Sequence, residues 1–231
     1  MMGIFSVVSA QEDTEPIYTR VGVDYHYHNS KLDAFNETLL ANGFSAMNDH
    51  ADYFNFYSKS GKASSKWMGT FGFSYYQRSS DALRNIQSPT PAEPINTADI
   101  LGFGFNSGAE YRLVDSKYFF LNPGFTIGFD YYKMAFTEGL GFTNLGQVLN
   151  SDLKTYSATS FQLPVNIGLR TGVNFPIGER VVSVTVSGGY RLHIDNSNWN
   201  INDVVKLDDE INLSSLYFGL GVEMSLFKSK Q

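Results

Sequence analysis

Between Phe161 and Phe175 the chain alternates without a break. Phe161, Leu163, Val165, Ile167, Leu169, Thr171, Val173 and Phe175 fall on one phase; Gln162, Pro164, Asn166, Gly168, Arg170, Gly172 and Asn174 fall on the other. A period of two predicts a strand with two opposite surfaces. The same pattern predicts strands over Ile17–His28, Ala51–Lys59, Lys66–Arg78, Asp99–Leu113, Tyr118–Lys133, Thr159–Phe175, Arg180–Ile194 and Asn212–Phe227. The second is the weakest, with only Phe54 and Phe56 as a clear apolar face. Ser60–Ser65, Val114–Lys117 and Pro176–Glu179 read as short turns, and the last two are composed as tight hairpin turns. They alternate with long connections at Asn29–His50, Ser79–Ala98, Met134–Ala158 and Asp195–Ile211. The first long connection carries Leu32, Phe35, Leu39 and Leu40 at helical spacing, with Ser30 placed to cap the helix, Asp33 in its first turn and Gly43 to stop it. Pro89, Pro91 and Pro94 make the second connection extended and irregular.

Three features decide which face points outward. The apolar phase holds Val21, Val23, Phe71, Phe73, Phe103, Phe105, Phe125, Ile127, Phe129, Phe218 and Leu220. An eight-stranded barrel has an interior just wide enough for its own side chains, and these would overfill it. The opposite phase collects Gly22, Gly72, Gly102, Gly104, Gly168, Gly219 and Gly221, which make room in a crowded interior. Aromatics gather at strand ends, with Tyr25, Tyr27, Tyr75, Tyr131 and Phe161 toward the long loops and Trp67, Tyr111, Phe119 and Phe175 toward the short turns. Two such girdles mark the interfaces of a transmembrane barrel. The expectation is therefore an all-β, closed, eight-stranded antiparallel up-and-down transmembrane β-barrel, with a short helix in its first extracellular loop. The alternative is a soluble lipocalin-like barrel whose apolar face is the inner one.

Composition narrows the class. No stretch approaches the ~20 apolar residues of a membrane helix. A net charge of −6 argues against a nucleic-acid partner, and the absence of Cys removes disulfide, thiol and Cys-metal chemistry. Met1–Ala10 is apolar and ends Val8-Ser9-Ala10, which reads as the remnant of a signal peptide cleaved before Gln11. Residues 11–231 then form a single outer-membrane barrel domain.

From about Ile17 to Phe227 the chain resembles the small eight-stranded outer-membrane barrels of the outer membrane protein A and X type, on its strand pattern, its loop asymmetry and its C-terminal strand. That strand departs from the family's assembly signal, since Leu226 holds the outward phase, Phe227 the inward one, and Lys228-Ser229-Lys230-Gln231 follows. The resemblance implies a charged lumen and the bacterial outer membrane, and even strand number with short periplasmic turns places both termini in the periplasm and the long loops outside. Outer-membrane lipid, lipopolysaccharide and the assembly machinery are the expected partners, with a surface ligand or protein partner at the loops.

The inward phase carries Arg20, Arg112, Arg170 and Arg191 against Asp24, Glu110, Asp130 and Glu223. Charges in a narrow interior must pair, which predicts a salt-bridge core that fixes register and plugs the lumen rather than an ion path. Asp24, His26 and His28 share the inward face near the long-loop end, and His193 lies at the same end of the seventh strand; two imidazoles at i and i+2 with a carboxylate form a weak metal-binding candidate beside the plainer reading as polar filler. Those histidines, with Ser74 or Ser79 and Asp24 or Asp195, are also what a rim-active lipid-modifying enzyme would need, but no Gly-x-Ser-x-Gly elbow is present. Asp203, Asp208, Asp209 and Glu210 form an acidic loop patch, and Trp199 either anchors a partner or packs on the rim. No cofactor is expected. The function expected is that of a non-enzymatic integral outer-membrane protein whose long loops serve envelope integrity or adhesion, with a component of a secretion or assembly complex as the alternative.

Overall fold

The computed structural model describes residues 17–80, 95–140, 155–194, 199–201, 205–206 and 211–226. The barrel wall consists of β1 (Ile17–Asn29), β2 (His50–Lys62), β3 (Trp67–Ser79), β4 (Ile95–Tyr111), β5 (Phe119–Leu140), β6 in two pieces (Thr155–Gln162 and Pro164–Ile177), β7 (Arg180–His193) and β8 (Ser215–Ser225). Each strand pairs antiparallel with the next. β1 pairs with β8 from Arg20↔Ser225 to Asn29↔Leu216, which closes the sheet and leaves the wall without an edge. The gap in β6 falls at Leu163, just before Pro164, which has no N–H for a ladder bond. Both pieces keep one register against β5, through Asp130↔Gln162 and Ile127↔Val165. The fold is a closed, eight-stranded, all-β transmembrane barrel.

Alternation sorts the wall. Phe71, Phe103, Phe105, Phe125, Ile127, Ile167, Phe218 and Leu220 point outward and are exposed, Phe218 by 70%. In water such a belt would be a gross liability; in hydrocarbon it is the contact surface. Tyr25, Tyr27, Trp67, Phe119, Phe161 and Phe175 are exposed at the belt's margins, where Tyr75, Tyr111 and Tyr131 are half-exposed. Inside, glycine stands opposite the largest side chains. Gly221 faces Asp24, Gly219 faces His26, Gly22 faces Tyr57, Gly102 faces Tyr132 and Gly104 faces Asp130 across the ladders. A methyl group at Gly221 or Gly104 would collide with the carboxylate opposite it. Glycine here supplies a groove in which a neighbouring polar side chain lies flat.

The strands are longer than expected at the long-loop end. β4 starts at Ile95 rather than Asp99, β5 runs on to Leu140 rather than ending at Lys133, and β6 starts at Thr155 rather than Thr159. β5 alone has 22 residues, while about 9–11 cross a bilayer. Beyond the upper aromatic girdle the phases exchange chemistry. Asp52, Gln77 and Lys133 are exposed on the outward phase, while Ala51, Ala98, Ile100, Met134 and Ala158 are buried on the inward one. This collar is built like a soluble barrel.

The helix α1 (Asp33–Ala41) seals it. Phe35 and Leu39, with Leu32 just before the helix, join Met47, Ile100, Met134, Trp199, Ile211 and Leu213 in one apolar cluster. Asn36 exchanges two hydrogen bonds with the Met47 backbone, at 3.0 and 2.8 Å, and so ties the helix to the returning chain. Gly43, at φ 78°, ends the helix as expected. Two local expectations fail. The Ser30 hydroxyl does not cap the helix but accepts from Arg78, and Leu40 is 60% exposed rather than on the buried face. Residues 1–16, Pro89, Pro91, Pro94, Asp195, the acidic patch Asp203, Asp208, Asp209 and Glu210, and Phe227 to Gln231 lie outside the described residues.

Candidate functional site: the charged lumen

Inward side chains meet in three tiers along the barrel axis. At the tier nearest the short turns, Lys59 of β2 is 1% exposed and lies 2.9 Å from Glu110 of β4 and 3.0 Å from Glu223 of β8. Arg20 of β1 pairs with the same Glu223 and donates to Ser183 of β7 at 3.2 Å. The Tyr57 hydroxyl donates to Glu223 at 3.2 Å.

In the middle tier, Arg170 of β6 grips Asp24 on the far wall with two nitrogens, at 2.6 and 2.8 Å, and reaches Glu110 with Nε at 3.2 Å. Its guanidinium lies 4.4 Å from the centroid of the Tyr57 ring. The planar fork of arginine suits a two-toothed grip of this kind.

In the upper tier, Arg191 of β7 pairs with Asp130 of β5 and donates to Tyr53 and Asn166, each at 3.0 Å. Tyr132 donates to Asp130 at 2.7 Å, and its oxygen lies 3.0 Å from His193 Nε2. A cavity of about 80 Å³ lies between the middle and upper tiers, lined by Asn55, Asn106, Asn166, Arg170, Arg191 and His26. Such a polar space has room for ordered water.

Of the eight charged residues expected in the lumen, seven are joined in these tiers. Arg112 is the correction. β4 ends at Tyr111, and Arg112 folds back onto the β2–β3 turn, donating to the carbonyls of Lys62, Ala63 and Ser65, with Asp115 at 3.1 Å. It staples two short turns and touches none of the lumen carboxylates among the described residues. Two lumen cations went unrecognised in the sequence, Lys59 and Arg78. Each continues the inward phase of its strand, and following that alternation to the strand end would have found both.

The metal candidates do not form a ligand set. Asp24 is taken by Arg170, His28 Nδ1 bonds Ser215 Oγ at 2.8 Å, His193 bonds Tyr132, and His26 and His28 ring centres are 6.0 Å apart. Among the described residues no three His, Cys, Asp or Glu are grouped to hold a metal ion. Serine, histidine and aspartate do approach one another at Ser187, His26 and Asp24, but Ser187 at 3.1 Å and Asp24 at 3.5 Å both address the same nitrogen, His26 Nε2. A relay needs the carboxylate on one ring nitrogen and the nucleophile on the other. Ser79 lies on the outward phase, remote from these groups, and Trp199 is fully buried under α1 rather than presented to a partner.

The architecture is that of a small outer-membrane barrel. Solved structures of such proteins are similar to the described chain. The attachment invasion locus protein Ail of Yersinia pestis, in complex with the heparin analogue sucrose octasulfate, covers 92% of this chain and 100% of its own, at 14% identity and a TM-score of 0.46. A major outer membrane protein from Thermus thermophilus covers 91% and 99%, at 12% identity and 0.45. The outer membrane protease OmpT from Escherichia coli covers 90% and 94%, at 6% identity and 0.34. No protein-family model and no curated protein matches the sequence. At such identities and scores, what those proteins bind or cleave does not transfer to this chain.

Proposed function

We propose that the chain is a non-conducting, non-enzymatic outer-membrane protein that works through the surface above its long-loop end. Its termini lie in the periplasm and its collar and long loops outside the cell, where they maintain the envelope or bind a surface ligand. The observation that carries this reading is the sequence of barriers along the axis: three tiers of cross-lumen ion pairs, then an apolar plug under α1. An ion moving through would have to break charged contacts between opposite walls and then enter a hydrocarbon-like cap, each step unfavourable by several kcal/mol. Buried ion pairs that join β1 to β6 and β2 to β8 also hold the wall rigid, which suits a pedestal for loops.

The test pairs conductance with binding. Purified barrel reconstituted in planar bilayers is expected to give no steady channel current, and cells displaying it are expected to lose surface binding, but not the folded barrel, when residues 141–154 and 202–210 are shortened. Stable single-channel steps from the intact protein would refute the reading.

A further inference from the structure

The lumen tiers balance, but the interior formed by the described residues does not. Among the described residues the inward cations are Arg20, Lys59, Arg78, Arg170 and Arg191, and the inward carboxylates are Asp24, Glu110, Asp130 and Glu223. Every carboxylate is engaged by a cation other than Arg78. Arg78 is the odd charge. It is 2% exposed, beside apolar Ala51 and Ile100 on the neighbouring strands, and among the described residues its Nη2 donates to Ser30 Oγ and, at 3.5 Å, to the Asp49 carbonyl. Its Nε and Nη1 have no partner.

The inward residues on either side, Tyr76 in β3 and Ser80 just past its end, add to the deficit. Tyr76 and Ser80 are each 3% exposed; the Ser80 hydroxyl has no partner, and the Tyr76 hydroxyl faces the Arg78 guanidinium itself. Consecutive inward residues on one strand face stand about 7 Å apart, and the guanidinium lies 5.9 Å from the Tyr76 ring centre. Nε–H, Nη1–H and two hydroxyls make a row of donors around a buried positive charge, with no carboxylate among the described residues to receive them. A buried unpaired guanidinium is strongly unfavourable.

We infer that Arg78, Tyr76 and Ser80 bind a small inorganic anion of the halide class beneath α1, as the counter-ion of the barrel interior. A monatomic anion takes donors from several directions and needs no donor of its own, which matches this set. The site is independent of the surface-binding reading above, because it concerns charge balance and not the loops.

Two measurements test it on the intact folded barrel. In crystals grown in sodium bromide, an anomalous bromine peak is expected within hydrogen-bonding distance of Arg78 Nε and Nη1. In detergent, replacing gluconate by chloride at fixed ionic strength is expected to raise the melting temperature by about 3–6 °C per tenfold increase once the anion exceeds its Kd. Arg78→Met is expected to lose that dependence, and Tyr76→Phe to weaken it. Should Arg78→Met fail to fold, the bromide peak in the wild-type protein and the Tyr76→Phe titration still decide. A feature at Arg78 with no anomalous signal, a chain carboxylate paired to the guanidinium, or a melting temperature indifferent to chloride would each overturn the site.

Discussion

Lys59→Met tests whether the lumen is a balanced network or a set of independent pairs. Lys59 is the only cation that contacts both Glu110 and Glu223 among the described residues. Without it, Glu223 keeps Arg20 and the Tyr57 hydroxyl, but Glu110 keeps only Arg170, with Asn122 at 3.4 Å, and Arg170 is already committed to Asp24. Two buried carboxylates then share one guanidinium. Uncovering a buried charge costs about 3–5 kcal/mol, and the methionine, similar in length, avoids adding a large cavity term. The expected loss is therefore about 3–5 kcal/mol. Lys59→Met combined with Glu110→Gln removes the surplus charge and is expected to recover at least half of that loss, a coupling far outside additivity. Reversible urea unfolding in lipid, followed by Trp fluorescence and by gel mobility of unboiled samples, measures both. A loss below about 1 kcal/mol, or strict additivity in the double variant, would refute a shared network.

Arg170→Ala is expected to destabilise the barrel by about 3–5 kcal/mol, and Arg112→Ala by under about 1 kcal/mol, measured by the same unfolding, because only the first uncovers buried carboxylates. Gly221→Ala is expected to lower stability by about 1–3 kcal/mol, since the methyl meets Asp24, whereas Gly69→Ala, whose nearest neighbour is 3.8 Å away, stays within about 0.5 kcal/mol. Phe35→Ala with Leu39→Ala is expected to expose the collar to proteolysis while the unboiled barrel still migrates faster than the boiled one on detergent gels; loss of the faster band would mean that α1 is needed for the membrane wall as well.

The membrane wall was legible because one rule governs it. Between the two girdles every outward residue meets lipid and every inward one meets its neighbours, so alternation in Phe161–Phe175 or Phe125–Tyr131 defines both strand and face. The rule stops at Lys133 and Thr159, where the expected strands end and the actual ones continue. There the outside solvent changes from lipid to water, so an apolar residue switches from the outer to the inner phase, and a pattern tuned to one solvent reads the switch as a loop. Met134 and Ala158 look like the start of a connection and are instead core. The lumen was legible as to which residue types face inward, but not as to pairing. Arg170 and Asp24 are 146 positions apart, and only closure of β1 on β8 brings their walls together. Arg112 misled because phase alone does not reveal that a strand has ended one residue earlier.

The exchange of faces at the collar bears on how the protein reaches its final state. In the proposed orientation, with the termini periplasmic, the collar and α1 would have to pass through the full thickness of the bilayer before folding. Asp52, Gln77 and Lys133 travel on the very side of the strand that the belt presents to lipid. A lysine held against hydrocarbon at mid-membrane is unfavourable by about 2–4 kcal/mol, and the collar adds unpaired backbone and several more polar groups to that barrier. The finished barrel is at ease in its membrane, yet its leading end is not. In that orientation, translocation of the collar is the step with the highest expected barrier, the one that shielding the advancing hairpins from lipid would speed most.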